Sequence, residues 1–146
     1  MLRQAVIKDR DECFELAKEV YGEFMARYGI QLVEEDLRAT VDYFIKAGQN
    51  LVIEQDGKVC GMTAWIITGH PANKNCKIFQ EVLWCCKSKY KTDALILLRG
   101  LEARAKQSGV NITVLANLSL ENEPKLRKIY GRMGYIYMES NYSKGN

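Results

Sequence analysis

The chain has 146 residues, of which 47% are apolar and 27% charged, and its formal net charge is +3. This length suits one domain with a single core, and the composition excludes a wholly disordered chain. No apolar stretch approaches the roughly 20 residues that cross a bilayer, and the first residues lack a secretory signal. We therefore expect a single domain over residues 1–146, a cytoplasmic location and no membrane partner.

Cysteine and histidine usage narrows the chemistry further. The sequence holds five cysteines without a C-x-x-C spacing, and one histidine, His70. An odd number of thiols without a secretory signal predicts reduced cysteines rather than a disulfide framework. A single histidine excludes multi-histidine zinc sites, and neither G-x-S-x-G nor a P-loop motif is present. We expect no metal.

Charge is unevenly distributed along the chain. Residues 9–42 carry ten acidic and four basic side chains, whereas residues 87–106 carry six basic and two acidic ones. One interpretation is a solvated surface with random drift of charge. The other is that the C-terminal half binds a polyanion while the N-terminal third faces a cationic group or no partner at all.

The first third predicts a strand and two helices. Residues 2–7 are a short apolar strand, and Asp9 with Glu12 resembles a capping box at a helix start. The apolar stripe of that helix has three- and four-residue steps, through Cys13, Leu16, Ala17, Val20, Tyr21 and Phe24. A second helix is predicted over residues 33–47, with a stripe of Leu37, Val41, Phe44 and Ile45.

The middle of the chain changes to strand periodicity. Asp56-Gly57 between residues 51–55 and 58–67 predicts a hairpin with a two-residue turn. Residues 69–76 predict a polar turn, and residues 77–86 a third strand of an antiparallel meander.

The last third alternates helix and strand. A helix ending at Gly109 has a stripe of Ala94, Leu95, Leu98, Leu101 and Ala105, and residues 111–116 alternate as a strand. Pro124 opens a last helix that buries Leu126, Ile129, Tyr130 and Met133, and residues 135–143 predict a final strand. The fold class is α/β, with one mixed, mostly antiparallel sheet flanked by helices in the order β-α-α-β-β-β-α-β-α-β.

Three features carry chemistry. The passage over residues 81–95 runs from a strand through a cationic loop (Lys87, Lys89, Lys91) into a helix N-terminus, which suits a diphosphate; the alternative is an ordinary lysine-rich solvent loop. Glu81 is an acid in an apolar strand, either facing water or serving as a base in a cleft. Tyr130 lies on a buried helical stripe, where a core tyrosine is the simpler interpretation.

Together these features resemble the GCN5-related N-acetyltransferase (GNAT) family over nearly the whole chain. The element order is similar, E-V-L-W-C-C at residues 81–86 resembles the fourth strand, and Leu126, Tyr130, Gly134 and Tyr135 match L-x-x-x-Y-x-x-x-G-Y. The stretch from Lys87 looks like that of compact, phage-encoded members.

The resemblance implies an acyl-CoA N-acyltransferase fold and transfer of acetyl from acetyl-CoA to a primary amine. Tyr130 would protonate the departing thiolate and Glu81 would deprotonate the amine. A backbone N–H near Trp84 or Cys85 would polarise the thioester oxygen. Acetyl-CoA would contact the strand end, the following loop and an asparagine before the last helix: Trp84, Cys85, Cys86, Lys87, Lys89, Tyr90, Lys91, Thr92, Asp93, Ala94 and Asn122 (or Asn117). The acceptor would be a small-molecule or lysine amine, and the protein a monomer or homodimer.

The sequence also departs from the family pattern. Residues 89–94 contain no glycine, and Asp93 places a negative charge at the anion site unless it caps the helix and turns outward. A second hypothesis is therefore a catalytically silent binding or virion-associated protein of the same fold. A nucleic-acid-binding domain ranks third, because no nucleic-acid motif accompanies the basic residues.

Overall fold

The computed structural model describes residues 1–87, 89, 91–116, 123–138 and 143–145, apart from the side chain of Lys91. These residues belong to two compact units, Met1–Leu115 and Ala116–Asn146. A single domain over the whole chain remains a prediction.

The first unit contains a sheet with helices. Its elements are β1 (Leu2–Gln4), a 3-10 turn (Ile7–Asp9), α1 (Arg10–Ala26), α2 (Glu34–Lys46), β2 (Asn50–Gln55), β3 (Lys58–His70), β4 (Asn73–Cys86), α3 (Lys91–Gln107) and β5 (Ile112–Val114). The five strands lie in the order β1-β2-β3-β4-β5. Neighbours are antiparallel except β4 and β5, which are parallel. The mixed, mostly antiparallel sheet is confirmed.

The sheet has a hydrophobic cluster on each face. Helices α1 and α2 cover one face, where the predicted stripe of α2 is buried throughout. Helix α3 covers the other face with Leu97, Leu98, Leu101 and Ala105. The prediction for α3 was wrong at Leu95, which is 40% exposed, because the helix turns Leu97 to the sheet instead. The candidate site described below lies along the C-terminal half of β4, between these two layers.

The N-terminal capping box is a second wrong prediction. Asp9 does not cap α1; its carboxylate accepts hydrogen bonds from the Arg3 guanidinium and from the Val6 N–H, 2.8 Å away. The Glu12 carboxylate accepts from the Val59 N–H at the start of β3. The Arg3 guanidinium donates to both oxygens of the Asp9 carboxylate, and this paired, bidentate geometry adds strength and direction that a cap to one backbone N–H lacks.

The hairpins show one confirmed turn and one corrected turn. Asp56 and Gly57 both have positive φ, +51° and +76°, as the predicted two-residue turn requires. The polar turn predicted over residues 69–76 is wrong, since β3 extends to His70 and β4 begins at Asn73. Gly69 pairs with Lys77 and His70 with Asn73, so the polar side chains there belong to strands.

The second unit contains α4 (Glu123–Arg132). Its predicted stripe of Leu126, Ile129, Tyr130 and Met133 is half-buried, and Gly134 follows with φ +86°. Residues 135–138 are not in a strand, which corrects the start of the predicted final strand; residues 139–142 lie outside the described residues. Among the described helices, none is long and apolar enough to cross a membrane.

Candidate active site

A bulge in β4 marks the centre of the candidate site. In the β3–β4 register Ala64 lies opposite Leu83 and Trp65 opposite Glu81, which leaves Val82 as an extra residue. The β4–β5 ladder covers only Ile78, Phe79 and Gln80 of β4. Beyond Gln80, β4 pairs only with β3 among the described strands. A bulged strand with an open edge is a place where an extended ligand can add itself to a sheet.

The backbone alternation determines which groups face that open edge. The N–H of Lys87 donates to the carbonyl of Cys60, 2.9 Å away, so it points toward β3. Because successive peptide groups alternate in direction, the N–H and C=O of Trp84 point away from β3. Of the two backbone donors that the sequence analysis names, the N–H of Trp84 therefore points away from β3 and the N–H of Cys85 points toward it.

The side chains at the end of β4 divide between the two faces of the sheet. Trp84 lies on the α3 side, and its indole N–H donates to the carbonyl of Ala94, 3.1 Å away. Cys85 packs with the cluster under α1, while Cys86 lies at the α3 side beside Gly61 and Leu97. Burial raises the pKa of the Cys85 thiol to about 12 and that of Cys86 to about 11. Both are protonated at neutral pH, which argues against a thiolate nucleophile.

The loop between β4 and α3 presents two described cations. Lys87 and Lys89 are exposed, and so is Thr92 in the first turn of α3. Of the other residues predicted to contact acetyl-CoA, Tyr90 and Asn122 (with its alternative Asn117) lie outside the described residues, as does the side chain of Lys91. The described part of this loop keeps the cationic, helix-preceding character that an anion site needs.

Asp93 corrects one sequence expectation. Its side chain does not turn outward, because the residue is only 7% exposed. Its carboxylate accepts a hydrogen bond from the side-chain amide of Gln55 on β2, and the Cys60 thiol lies 4.0 Å away. The negative charge is thus held under the first turn of α3 and does not project into the loop.

Glu81 lies directly before the bulge and is 6% exposed, so it is not on the open, solvated side of the sheet. The hydroxyl of Tyr21, on α1, donates to the carbonyl of Val82, 3.1 Å away. Burial, and secondarily the charge of Glu81, raise the pKa of Tyr21, which keeps its hydroxyl a neutral donor. Sequence periodicity placed Tyr21 on a buried stripe and carried no signal for this contact.

An open groove runs between α1 and the end of β4. It measures about 470 Å³, and one face of α1 lines it with three acidic side chains, Glu15, Glu19 and Glu23, and one basic one, Lys18. Lys87 lies at its other side. A smaller cavity of about 110 Å³ is lined by Glu19, Glu23, Cys85, Cys86 and Lys87 among others. The acidic N-terminal third predicted to face a cation therefore contributes to a groove beside the open strand.

Tyr130 belongs to the second unit. It is half-buried, its hydroxyl donates to the carbonyl of Ala116, 3.3 Å away, and its ring lies 6.0 Å from that of Tyr135. The hydroxyl is thus oriented as a hydrogen-bond donor. Its role as an acid remains a prediction.

Comparison with known proteins identifies the architecture. No family model and no curated protein matches the sequence. Among solved structures, the chain superposes on the aminoglycoside N-acetyltransferase AAC(6')-Iy in complex with CoA, with a TM-score of 0.75 at 12% identity over 100% of this chain and 93% of that one. A protein from Clostridium acetobutylicum described as a predicted acetyltransferase, with acetyl-CoA, gives a TM-score of 0.73 at 15% identity, covering 99% of this chain and 95% of that one. Glucosamine-6-phosphate N-acetyltransferase from Arabidopsis thaliana gives 0.70 at 17% identity, covering 99% and 96%. The chain has the GNAT fold.

The order of elements in the first unit agrees with this fold. The order β-α-α-β-β-β-α-β is confirmed over the described residues, with the parallel strand β5 entering after α3. The bulge at Val82 and the end of the β4–β5 ladder at Gln80 fall on consecutive stretches of one strand.

Proposed function

We propose that this protein is an N-acetyltransferase that moves an acetyl group from acetyl-CoA to a primary amine by direct attack. The observation that carries the proposal is the bulged end of β4, which leads to the N-terminus of α3; in the described part of the chain, its ladder with β5 ends at Gln80. Two of the structures with this fold described above contain CoA or acetyl-CoA.

The residues at this edge fit such a co-substrate. Trp84, Cys85 and Cys86 would hold the pantetheine arm as an added strand, and the outward N–H of Trp84 would stabilise negative charge on the thioester oxygen. Lys87, Lys89 and the first-turn N–H groups of α3 would hold the diphosphate. When bound, acetyl-CoA supplies the activated acetyl group; the chain supplies orientation and charge.

In the proposed reaction, two side chains transfer protons. Glu81, buried beside the bulge, accepts a proton from the acceptor ammonium so that a neutral amine attacks. Tyr130 gives its proton to the departing thiolate. No covalent enzyme intermediate is needed, in keeping with the protonated thiols of Cys85 and Cys86.

A cationic acceptor is the class that the first unit supports. The groove beside β4 has three carboxylates on α1, those of Glu15, Glu19 and Glu23, against one ammonium of the same helix, that of Lys18, which pairs with Glu34. Such an excess of carboxylates attracts amines that carry further positive charges. Polyamines, aminoglycosides and lysine side chains all meet this description.

One pair of measurements tests the proposal. Acetyl-CoA should raise the melting temperature, since a ligand that binds only the folded state stabilises it. A panel of amines should then be screened for release of the CoA thiol. Without any thermal shift at millimolar acetyl-CoA, the silent binding protein becomes the better hypothesis, and the glycine-free loop with its buried Asp93 is the feature that favours it.

The remaining predictions extend this proposal. They are the phage-type origin, the cytoplasmic location (host cytoplasm for a viral protein), the monomer or homodimer, and the absence of a metal. Nucleic-acid binding stays third, and a salt-sensitive mobility shift would raise its rank.

A further inference from the structure

The first turn of α3 is held by a buried carboxylate. Asp93 is 7% exposed, and the amide of Gln55 donates to its Oδ2. The Cys60 thiol lies 4.0 Å from the same oxygen. Asp93 is buried and Gln55 half-buried, and the contact is costly to leave unmade because the buried carboxylate has lost most of its water.

A second bond fixes the next residue. The indole N–H of Trp84 donates to the carbonyl of Ala94, 3.1 Å away. Residues 93 and 94 are therefore attached to two different strands, β2 and β4. Residues 89–94 contain no glycine, and these two bonds hold the described part of the turn.

The charge of Asp93 has an electrostatic consequence. A carboxylate in the first turn stabilises a helix through the positive end of its dipole. The same charge weakens the attraction of that helix end for a second anion. We propose that Asp93, held by Gln55, is a positioning residue that fixes the first turn of α3 and lowers the affinity of the phosphate site for CoA. This inference rests on the proposed function.

Substituting the carboxylate separates its two effects. In Asp93→Asn the amide carbonyl still accepts the Gln55 bond while the charge is gone, so CoA should bind roughly fivefold more tightly. In Asp93→Ala both the charge and the bond are lost, and CoA should bind more weakly than to Asp93→Asn. Pantetheine, which lacks the diphosphate, should bind native protein and Asp93→Asn equally. Calorimetric titration of each ligand measures all of these affinities.

A matched control comes from the same helix. Glu102 is an acid two and a half turns further along α3, paired with Lys106 at 3.6 Å. Glu102→Gln removes the same charge beyond about one Debye length, so CoA affinity should not change. If Asp93→Asn binds CoA no more tightly than the native protein, or if Glu102→Gln tightens binding equally, the affinity role is overturned.

The hydrogen bond between Gln55 and Asp93, called the clamp below, can also be tested without any ligand. Gln55→Ala and Asp93→Ala should each lower the melting temperature, and the double variant should lose less than the sum of the two, because they share one interaction. Additive losses overturn the clamp. If neither native protein nor Asp93→Asn binds CoA, the proposed function and the affinity role both fail, while the thermal cycle still decides the clamp.

Discussion

The hydroxyl of Tyr21 lies 3.1 Å from the carbonyl oxygen of Val82 and donates a hydrogen bond to it, joining α1 to the bulge of β4. The bulge residue follows Glu81 and precedes the strand segment that would hold the pantetheine arm. This hydrogen bond orients the peptide group of Val82, and the orientation of that group sets the positions of Glu81 before it and of the strand segment after it. We therefore regard Tyr21 as a positioning residue of the proposed site.

Tyr21→Phe removes this bond and leaves the ring in place. We expect kcat to fall roughly five- to tenfold, the cost of one hydrogen bond, while KM for acetyl-CoA changes little because Lys87 and Lys89 are untouched. Steady-state rates with acetyl-CoA varied at fixed amine measure this. Tyr43→Phe, at an exposed position on α2, is the matched control. An unchanged kcat, or an equal loss in the control, would contradict the positioning role.

Tyr130→Phe tests the proposed acid. Loss of a positioned proton donor costs on the order of 10²-fold in rate, and CoA affinity should stay the same because no charge is removed. Thiol release and calorimetric binding measure the two quantities. Tyr137→Phe, at an exposed position of the same unit, should be as fast as the native protein. Native turnover by Tyr130→Phe would show that another group protonates the thiolate.

Glu81→Gln tests the proposed base through the pH dependence of kcat/KM. Without a base the enzyme depends on amine that is already neutral, so the rate should rise tenfold per pH unit up to the pKa of the acceptor, about 10.4 for a lysine-like amine. At pH 7 the loss should be about 10²-fold or more. A variant with the native profile and native rate would exclude Glu81 from proton transfer. The melting temperature separates this from misfolding.

The ion pairs at the N-terminus predict a pH dependence of stability. Arg3 contacts both Asp9 and Glu54, and its guanidinium holds the pKa of each carboxyl below its ordinary value. A lowered pKa in the folded state contributes stability that is present above the unfolded pKa, about 4, and is lost as the pH falls through the folded value.

Asp9→Asn should remove part of that dependence. We expect a loss of about 2 kcal/mol in the free energy of unfolding at pH 7 and a smaller difference from the native protein below pH 3. Urea unfolding at several pH values measures both. Asp11→Asn is the control, since that side chain is 80% exposed. An Asp9→Asn deficit that persists undiminished at low pH would show that packing, and not charge, explains the loss.

Helical periodicity and turn residues correctly predicted some of the buried faces and turns. The stripe of α2 is buried at Leu37, Val41, Phe44 and Ile45 as expected, because helical periodicity records which face meets a sheet. Asp56-Gly57 predicted its turn because few other residues tolerate positive φ twice in succession. By contrast, Leu95 was assigned to the core in place of Leu97, because several adjacent apolar residues there fit more than one face.

The sequence by itself determined the order of helices and strands as far as the last helix, the class of the sheet and the acidic and basic residues available to a site. Only the tertiary structure decided that Val82 bulges, that Tyr21 reaches its carbonyl, and that Asp93 bonds to Gln55 and does not face solvent. The physical reason is separation along the chain. Tyr21 and Val82 are 61 residues apart, and Gln55 and Asp93 are 38 apart. Periodicity reports the face that a residue presents, whereas a partner brought by another element depends on the register of the packed strands.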